Sequence, residues 1–284
     1  MSSDLDNDGW TDIYVANDFD EPDNLYLNNG DGTFRNVIHD AVGHMSNFGM
    51  GVDAADYNND GLLDLVVLDM VAEDNYRQKT QMASMNPRKF WTGVESGFHY
   101  QYMRNTLQLN NGTANEDNFT FSEVGQLAGI SNTDWSWAGL FADLNNNGRK
   151  DLFITNGYRR DSRDKDYLKN IEKKKKQLQY KQMASGGKKS KSGTMGMQEY
   201  LGMMTATPLK NYYFENNGDL TFTKQTDEYG FTQASFSNGA AYADFDNDGD
   251  LDLVVNNILD RAYVYKNFTR ERDNANYLRI NLEG

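Results

Sequence analysis

Four acidic nonamers carry the residue types and the spacing of a divalent-cation site. They run from Asp4 to Asp12, Asp56 to Asp64, Asp143 to Asp151 and Asp244 to Asp252. Oxygen-bearing side chains fall at positions 1, 3, 5 and 9: Asp4, Asp6, Asp8 and Asp12; Asp56, Asn58, Asp60 and Asp64; Asp143, Asn145, Asn147 and Asp151; Asp244, Asp246, Asp248 and Asp252. Alternate positions on a tightly curved backbone turn side chains inward. The glycine at position 6 permits the sharp turn. The position-7 carbonyl, of Trp10, Leu62, Arg149 or Asp250, supplies a further oxygen, and the position-9 Asp can offer both of its own. Calcium accepts six to eight such oxygens in irregular geometry, whereas magnesium demands a near-ideal octahedron and keeps more water. The expectation is therefore up to four Ca2+ ions. By carboxylate count the first and fourth sites should be tightest. The Asp143–Asp151 site, with Arg149 and Lys150 inside it, should be weakest. On that ranking Asp252→Ala should lower a melt more than Asp151→Ala.

The rival loop, the helix–loop–helix EF-hand, needs a bidentate Glu at position 12. Here position 12 is Val15, Val67, Ile154 or Val255, each inside an apolar run. The loop thus feeds a strand rather than a helix. A hairpin signature follows three of the loops, as Asn28-Asn29-Gly30, Asn110-Asn111-Gly112 and Asn216-Asn217-Gly218. Asn-Gly marks a tight turn because that turn needs positive φ. Copies two to four are preceded by Ala55, Ala142 and Ala243, with a small residue four further back at Gly51, Ala138 and Gly239.

First ligands at 4, 56, 143 and 244 are unevenly spaced. Two stretches break the pattern, at about 70–104 and about 158–208. Setting them aside leaves a period of roughly 50 residues with several short strands per unit, which fits a propeller blade. The first stretch reads as partly helical with a break at Pro87. The second holds Lys173 to Lys176 on a solvated helix, then a Gly- and Lys-rich run. The expected fold is all-β, a β-propeller with about four blades present, part of a larger seven-bladed one, carrying two partly helical insertions. The propeller should occupy 1–275. Residues 276–284 alternate apolar and polar and read as the truncated start of a following β domain.

Composition narrows the function classes. The chain has 284 residues, a net charge of −14 and no cysteine, which excludes thiol catalysis, disulfides and cysteine-ligated zinc. Thirteen carboxylates sit at the loop positions, and removing them from the 42 acidic residues leaves 29 against 28 basic ones. The acidity is therefore concentrated where cations would bind. An acidic chain is a poor general binder of nucleic-acid backbone. No apolar run is long enough to span a membrane. No signal peptide is visible. The three histidines, His39, His44 and His99, have no metal-like spacing and read as surface or turn residues. No nucleophile motif or phosphate-cradling loop is present, so no enzyme is expected.

These nonamers resemble the FG-GAP/VCBS repeats of the integrin-α-type β-propeller. The segment Asn276 to Gly284 is similar to the start of an ASPIC/UnbV domain. The resemblance implies calcium in the blade loops, an extracellular, periplasmic or cell-surface setting, and a role in recognition or adhesion with a protein or glycan ligand. The alternative is a carbohydrate-active lyase or glycosidase on the same scaffold. Trp135 and Trp137, two apart on a strand, suit blade packing better than sugar stacking. The insertions are the expected partner surfaces, since long loops on rigid scaffolds often carry binding.

Overall fold

The computed structural model describes residues 1–81, 86–113, 119–184, 195–273 and 280. The chain divides into two compact units: Met1–Val71, Met85–Gly157 and Leu209–Gly284 form the first, Ala72–Ser84 and Tyr158–Pro208 the second.

The first unit is built of successive antiparallel sheets, the blades of a β-propeller. Blade 1 holds β1 (Ser2–Ser3), β2 (Asp12–Val15), β3 (Asn24–Asn28) and β4 (Phe34–Asn36) in sequential order. The short helix α1 (Ile38–Ala41) and β5 (Met45–Ser46) follow. Blade 2 comprises β6 (Gly51–Ala55), β7 (Asp64–Leu68) and, after an interruption, β9 (Thr106–Thr113) and β10 (Phe119–Glu123). That interruption contains α2 (Asn75–Gln81), α3 (Pro87–Glu95) and β8 (Gln101–Tyr102), and β8 pairs in parallel with β5. Blade 3 holds β11 (Ser136–Ala142), β12 (Asp151–Asn156), β14 (Tyr212–Asn216) and β15 (Phe222–Lys224). Between β12 and β14 lie α4 (Lys165–Ala184), α5 (Met197–Gly202) and β13 (Leu209–Lys210), the last pairing with β16 (Ala234–Ser235). Among the described residues blade 4 has three strands, β17 (Ser237–Ala243), β18 (Asp252–Asn257) and β19 (Tyr263–Tyr265), before α6 (Thr269–Asp273).

Each acidic nonamer joins the first strand of its blade to the second. The position-9 Asp opens the second strand, so position 12 lies inside the sheet, which is why no EF-hand forms. Strands β7 and β12 are buried along their whole length. They lie between neighbouring sheets, so both faces must be apolar, as the runs Leu65–Leu68 and Leu152–Ile154 supply. In blade 1 Ile13 and Val15 are exposed while Tyr14 is fully buried, because among the described residues no sheet packs on one face of β2.

Three apolar clusters glue the blades in turn. Leu5, Tyr14 and Leu25 of blade 1 pack with Leu65, Phe119 and Phe121 of blade 2. Leu68, Leu107 and Ile130 of blade 2 pack with Phe141, Leu152 and Phe222 of blade 3. Phe153, Tyr213 and Phe231 of blade 3 pack with Leu253 and Val255 of blade 4. Trp137 belongs to this framework: its Nε1 donates to the Gly157 carbonyl at 2.7 Å. The histidines also have local roles. The rings of His39 and His99 stack at 5.1 Å, and His44 Nε2 lies 3.1 Å from Glu123 and 2.8 Å from Arg104.

Helix α3 stays with the first unit, started by Pro87 and capped by Asn86, whose side chain accepts from Arg88 N and Lys89 N. The second unit gathers α2, α4 and α5. Its centre is Asp161, buried and accepting from the hydroxyls of Thr205 and Thr207 at 3.0 Å, with Arg77 at 3.8 Å. Asp164 caps α4 through Asp166 N and Tyr167 N and accepts from Gln81. Lys173, Lys175 and Lys176 stand exposed on α4, while Lys174 pairs with Glu199 at 3.1 Å. The Gly- and Lys-rich run beyond α4 and the segment 276–279 and 281–284 lie outside the described residues.

Candidate metal centre

The four loops share one internal hydrogen-bond scheme. The position-1 carboxylate accepts from the backbone N–H of positions 5 and 6. For Asp4 these are Asp8 N at 3.1 Å and Gly9 N at 3.0 Å. Asp56, Asp143 and Asp244 do the same within 2.8–3.2 Å. The position-5 side chain then accepts from the position-7 N–H in every copy. These Asx turns close the loop, and glycine at position 6, with φ between 83° and 97°, gives the reversal that a Cβ would strain. The same backbone therefore forms whether position 3 or 5 is Asp or Asn.

The position-9 Asp has a further task in all four loops. It is buried, and each of its oxygens takes a backbone N–H. Asp12 accepts from Leu5 N at 2.8 Å and Asn28 N at 2.9 Å. Asp64 accepts from Tyr57 N and Asn110 N, Asp151 from Leu144 N and Asn216 N, and Asp252 from Phe245 N and Asn267 N. Asp151 also accepts from Tyr213 Oη at 2.7 Å. So this carboxylate ties the loop's second residue to an Asn in, or just past, the blade's third strand. A carboxylate has about four lone-pair positions, so two accepted bonds leave capacity for a cation.

Two residues that sequence reasoning passed over extend this joint between blades. That Asn donates through its side chain to the position-2 carbonyl of the preceding loop: Asn110 to Leu5 at 2.9 Å, Asn216 to Tyr57 at 2.7 Å, Asn267 to Leu144 at 2.7 Å. The Asn at position 4 reaches the other way. Asn7 donates to the Gly61 carbonyl, Asn59 to the Gly148 carbonyl, both at 3.1 Å, and Asn146 to the Asp250 carboxylate. Asn7, Asn59, Asn146 and Asn247 all hold φ near 60°. That conformation tolerates Asn better than most residues. The signal was present in the sequence, as an Asn at position 4 of every copy.

Position 7 faces the hairpin turn. A Cβ on Gly30 would meet Trp10, one on Gly112 would meet Leu62 and one on Gly218 would meet Arg149, at 2.8–3.3 Å. These side chains cover the Asn-Asn-Gly turns, and only their carbonyls remain as candidate ligands.

Carboxylate oxygens converge in two loops. Those of Asp4, Asp6 and Asp8 lie within 4.8 Å of one another, as do those of Asp244, Asp246 and Asp248. The two clusters differ in what balances them. Burial pushes Asp6 up to about 6, helped by the charges of Asp12, Asp8 and Asp4. Asp246, at the same position, is held below its ordinary value by a hydrogen bond from Lys266. Lys266 Nζ lies on Asp246 and 3.4 Å from Asp248. Loop 4 thus contains an internal ammonium where loop 1 has accumulated negative charge. Loop 3 takes a third course, with Asn145 donating to Glu215 at 3.1 Å. Burial also pushes Asp64 to about 7 and Asp151 to about 6. An all-oxygen donor set of carboxylates, amide oxygens and carbonyls is the hard set that Ca2+ takes and soft metals do not.

Two segments match the family model of the FG-GAP-like repeat, residues 4–67 and 200–255. They contain the first, second and fourth loops. No curated protein matches the chain. Among solved structures the chain is similar to one described as the structural basis of specific recognition of non-reducing terminal N-acetylglucosamine by an Agrocybe aegerita lectin. The identity is 15%, with 90% of this chain and 46% of that one covered and a TM-score of 0.38. The chain therefore spans less than half the length of that structure. With one acidic loop repeated at the head of a strand in four successive sheets, residues 4–67 and 200–255 are FG-GAP-like repeats of a β-propeller.

Proposed function

We propose that the chain is a calcium-stabilised β-propeller recognition module of an exported protein, binding a protein or glycan ligand without catalysing a reaction. The observation that carries it is the convergence of Asp4, Asp6 and Asp8 within a backbone that four loops share. Three carboxylates held together at the cost of mutual repulsion are stabilised by a divalent ion more than by water. The ligands are the loop positions 1, 3, 5 and 9 with the position-7 carbonyl. The ions hold the blade seams in place and take no part in a reaction. Both clusters of three or more metal-capable side chains found among the described residues lie in these loops.

The ion pair of Lys266 with Asp246 and Asp248 supports an order of affinities different from the one drawn from carboxylate counts. Loop 1 comes first. Loop 4 falls behind it because Lys266 must leave Asp246 and Asp248 before an ion can enter. Titration calorimetry with CaCl2 and MgCl2 tests this reading. The expected result is calcium binding with its strongest site lost in Asp6→Ala, and weaker magnesium binding. An absence of stoichiometric calcium binding at up to about 1 mM, the weak limit for extracellular modules, would overturn it.

A further inference from the structure

One ring nitrogen of His44 has two partners that ask opposite things of it. Arg104 Nη2 lies 2.8 Å from His44 Nε2, and Glu123 Oε2 lies 3.1 Å from the same atom. A guanidinium only donates, and an ionised carboxylate only accepts. With its lone pair free, Nε2 accepts from Arg104 and has nothing to give Glu123. With a proton, Nε2 donates to Glu123 and can no longer accept from Arg104. The two bonds exclude one another, so the proton on the ring decides which is made. Histidine is the side chain whose charge ordinarily changes between about pH 5 and pH 8.

Two of the three groups are fixed. Glu123 ends β10, and its Oε1 accepts from Gly125 N at 2.6 Å and Leu107 N at 3.2 Å. Burial opposes its charge, but the bonds from His44, Gly125 and Leu107 and the Arg104 charge hold its carboxyl below the ordinary value. It therefore stays ionised while histidine titrates. The backbone of His44 is pinned as well: its carbonyl accepts from Gln108 Nε2 of β9 at 2.8 Å, and Met45 N donates to Tyr100 O at 3.0 Å. Arg104 is the member free to shift. It reaches Glu123 Oε2 at 3.4 Å and lies 5.3 Å from the ring centroid of Tyr102, while its Nε is buried with no hydrogen-bond partner among the described residues. The other titratable groups near the cluster are Tyr102 of β8, edge-on to the His44 ring at 5.1 Å, and His39 and Asp40 of α1, which packs on β10. His39 stacks on His99, and Asp40 is exposed.

Tyr102 carries the effect outward. Its other neighbour is Phe90 of α3, at 5.4 Å between centroids, and Phe90 also meets Tyr100 at 6.3 Å. Helix α3 has no buried residue. It is held by these ring contacts, by the Lys89–Asp20 ion pair at 2.6 Å and by the short parallel pairing of β8 with β5. A segment with so few buried contacts opens locally at low cost.

The geometry points to a proton-operated latch between the propeller and the first insertion. Protonation of His44 transfers its Nε2 from Arg104 to Glu123. Arg104 then shares Glu123 with a second cation, and the two repel. The guanidinium leaves its place beside Tyr102, and the α3–β8 segment loosens from blades 1 and 2. Loss of the proton closes it again. The latch requires no ion in the loops.

Hydrogen exchange of the full chain, read by mass spectrometry in EGTA at about pH 5.5 and pH 7.5 and corrected for intrinsic rates, tests this. Protection over residues 87–104 should fall by about threefold or more at the lower pH. His44→Gln, neutral at both pH values, should erase the difference, while His99→Asn should keep it. Asp69 cannot imitate the result, because a carboxyl raised by burial is most stabilising in acid. Equal protection of the wild type at both pH values would overturn the proposal, as would an undiminished difference in His44→Gln or its loss in His99→Asn. Should His44→Gln fold poorly, nitrogen NMR of the wild-type ring decides. The latch needs Nε2 bare and Nδ1 protonated at pH 7.5, and a proton on Nε2 there would refute it. None of these outcomes bears on calcium binding.

Discussion

The side-chain amide of Asn216 donates a 2.7 Å hydrogen bond to the carbonyl of Tyr57, 159 residues away in the chain and in the neighbouring blade's loop. The same amide reaches Lys150 O at 2.9 Å, while its backbone N–H bonds Asp151. One buried Asn therefore joins its own loop, its own hairpin and the previous blade.

Asn216→Ala should be among the most damaging single changes. It leaves two carbonyls without this donor, each costing about 1–3 kcal/mol if no water replaces it. Asn28 is the counterpart with only Thr11 O to reach, at an exposed site. Asn28→Ala should cost clearly less. Chemical denaturation of the two variants checks this, and equal losses would argue that the inter-blade bond contributes nothing.

The position-9 aspartates separate scaffold from ion. In chelator, Asp151→Ala should lower the melting temperature more than Asp252→Ala, because it orphans three buried donors, Tyr213 Oη included, rather than two part-buried ones. This is the reverse of the order drawn from carboxylate counts, which considers the ion alone. Adding calcium should widen the gap between wild type and Asp252→Ala. Melts of both variants in chelator and in calcium provide the comparison.

How far the sequence spoke depended on whether a role was local. Positions 1, 3, 5 and 6 act within nine residues and position 9 opens the strand that follows, so their spacing disclosed the loop and that strand; the long-range bonds of position 9 were not legible. The blades followed from the hairpin Asn-Gly turns. Long-range roles were silent. Nothing near Asn7 says that it reaches Gly61, and nothing near Asp246 says that Lys266 will lie on it. Likewise, the stretches at about 70–104 and about 158–208 looked like two insertions, yet Gln81 and Arg77 of the first meet Asp164 and Asp161 of the second in one unit.

Lys266→Met should raise calcium affinity at loop 4 and lower stability in chelator. The ammonium now neutralises Asp246 and Asp248, and an ion must displace it. Calorimetry on this variant in the Asp6→Ala background isolates the fourth site. Unchanged affinity would show that Lys266 does not compete.

Asp69 gives a pH dependence that is independent of the loops. It is fully buried, accepting from Ser46 Oγ and from the N–H groups of Asn47, Phe48 and Met70, and burial pushes it up to about 6. A carboxyl raised above its unfolded value contributes stability below about pH 4 that is lost as pH rises through 6. Asn at this position cannot ionise, so Asp69→Asn lacks that loss although it is less stable throughout. The stability gap between wild type and variant should narrow by up to about 3 kcal/mol between pH 4 and pH 7. Urea denaturation across that range measures it, and a gap that widens would contradict the sign.

The central claim is that divalent ions in the loops stabilise the blades. A thermal melt of the intact chain in millimolar CaCl2 and in excess EGTA tests it most directly, because a ligand that binds only the folded state raises the melting temperature. The melting temperature should be higher in calcium, with most of the difference removed by Asp6→Ala. Identical melts in the two buffers would contradict it.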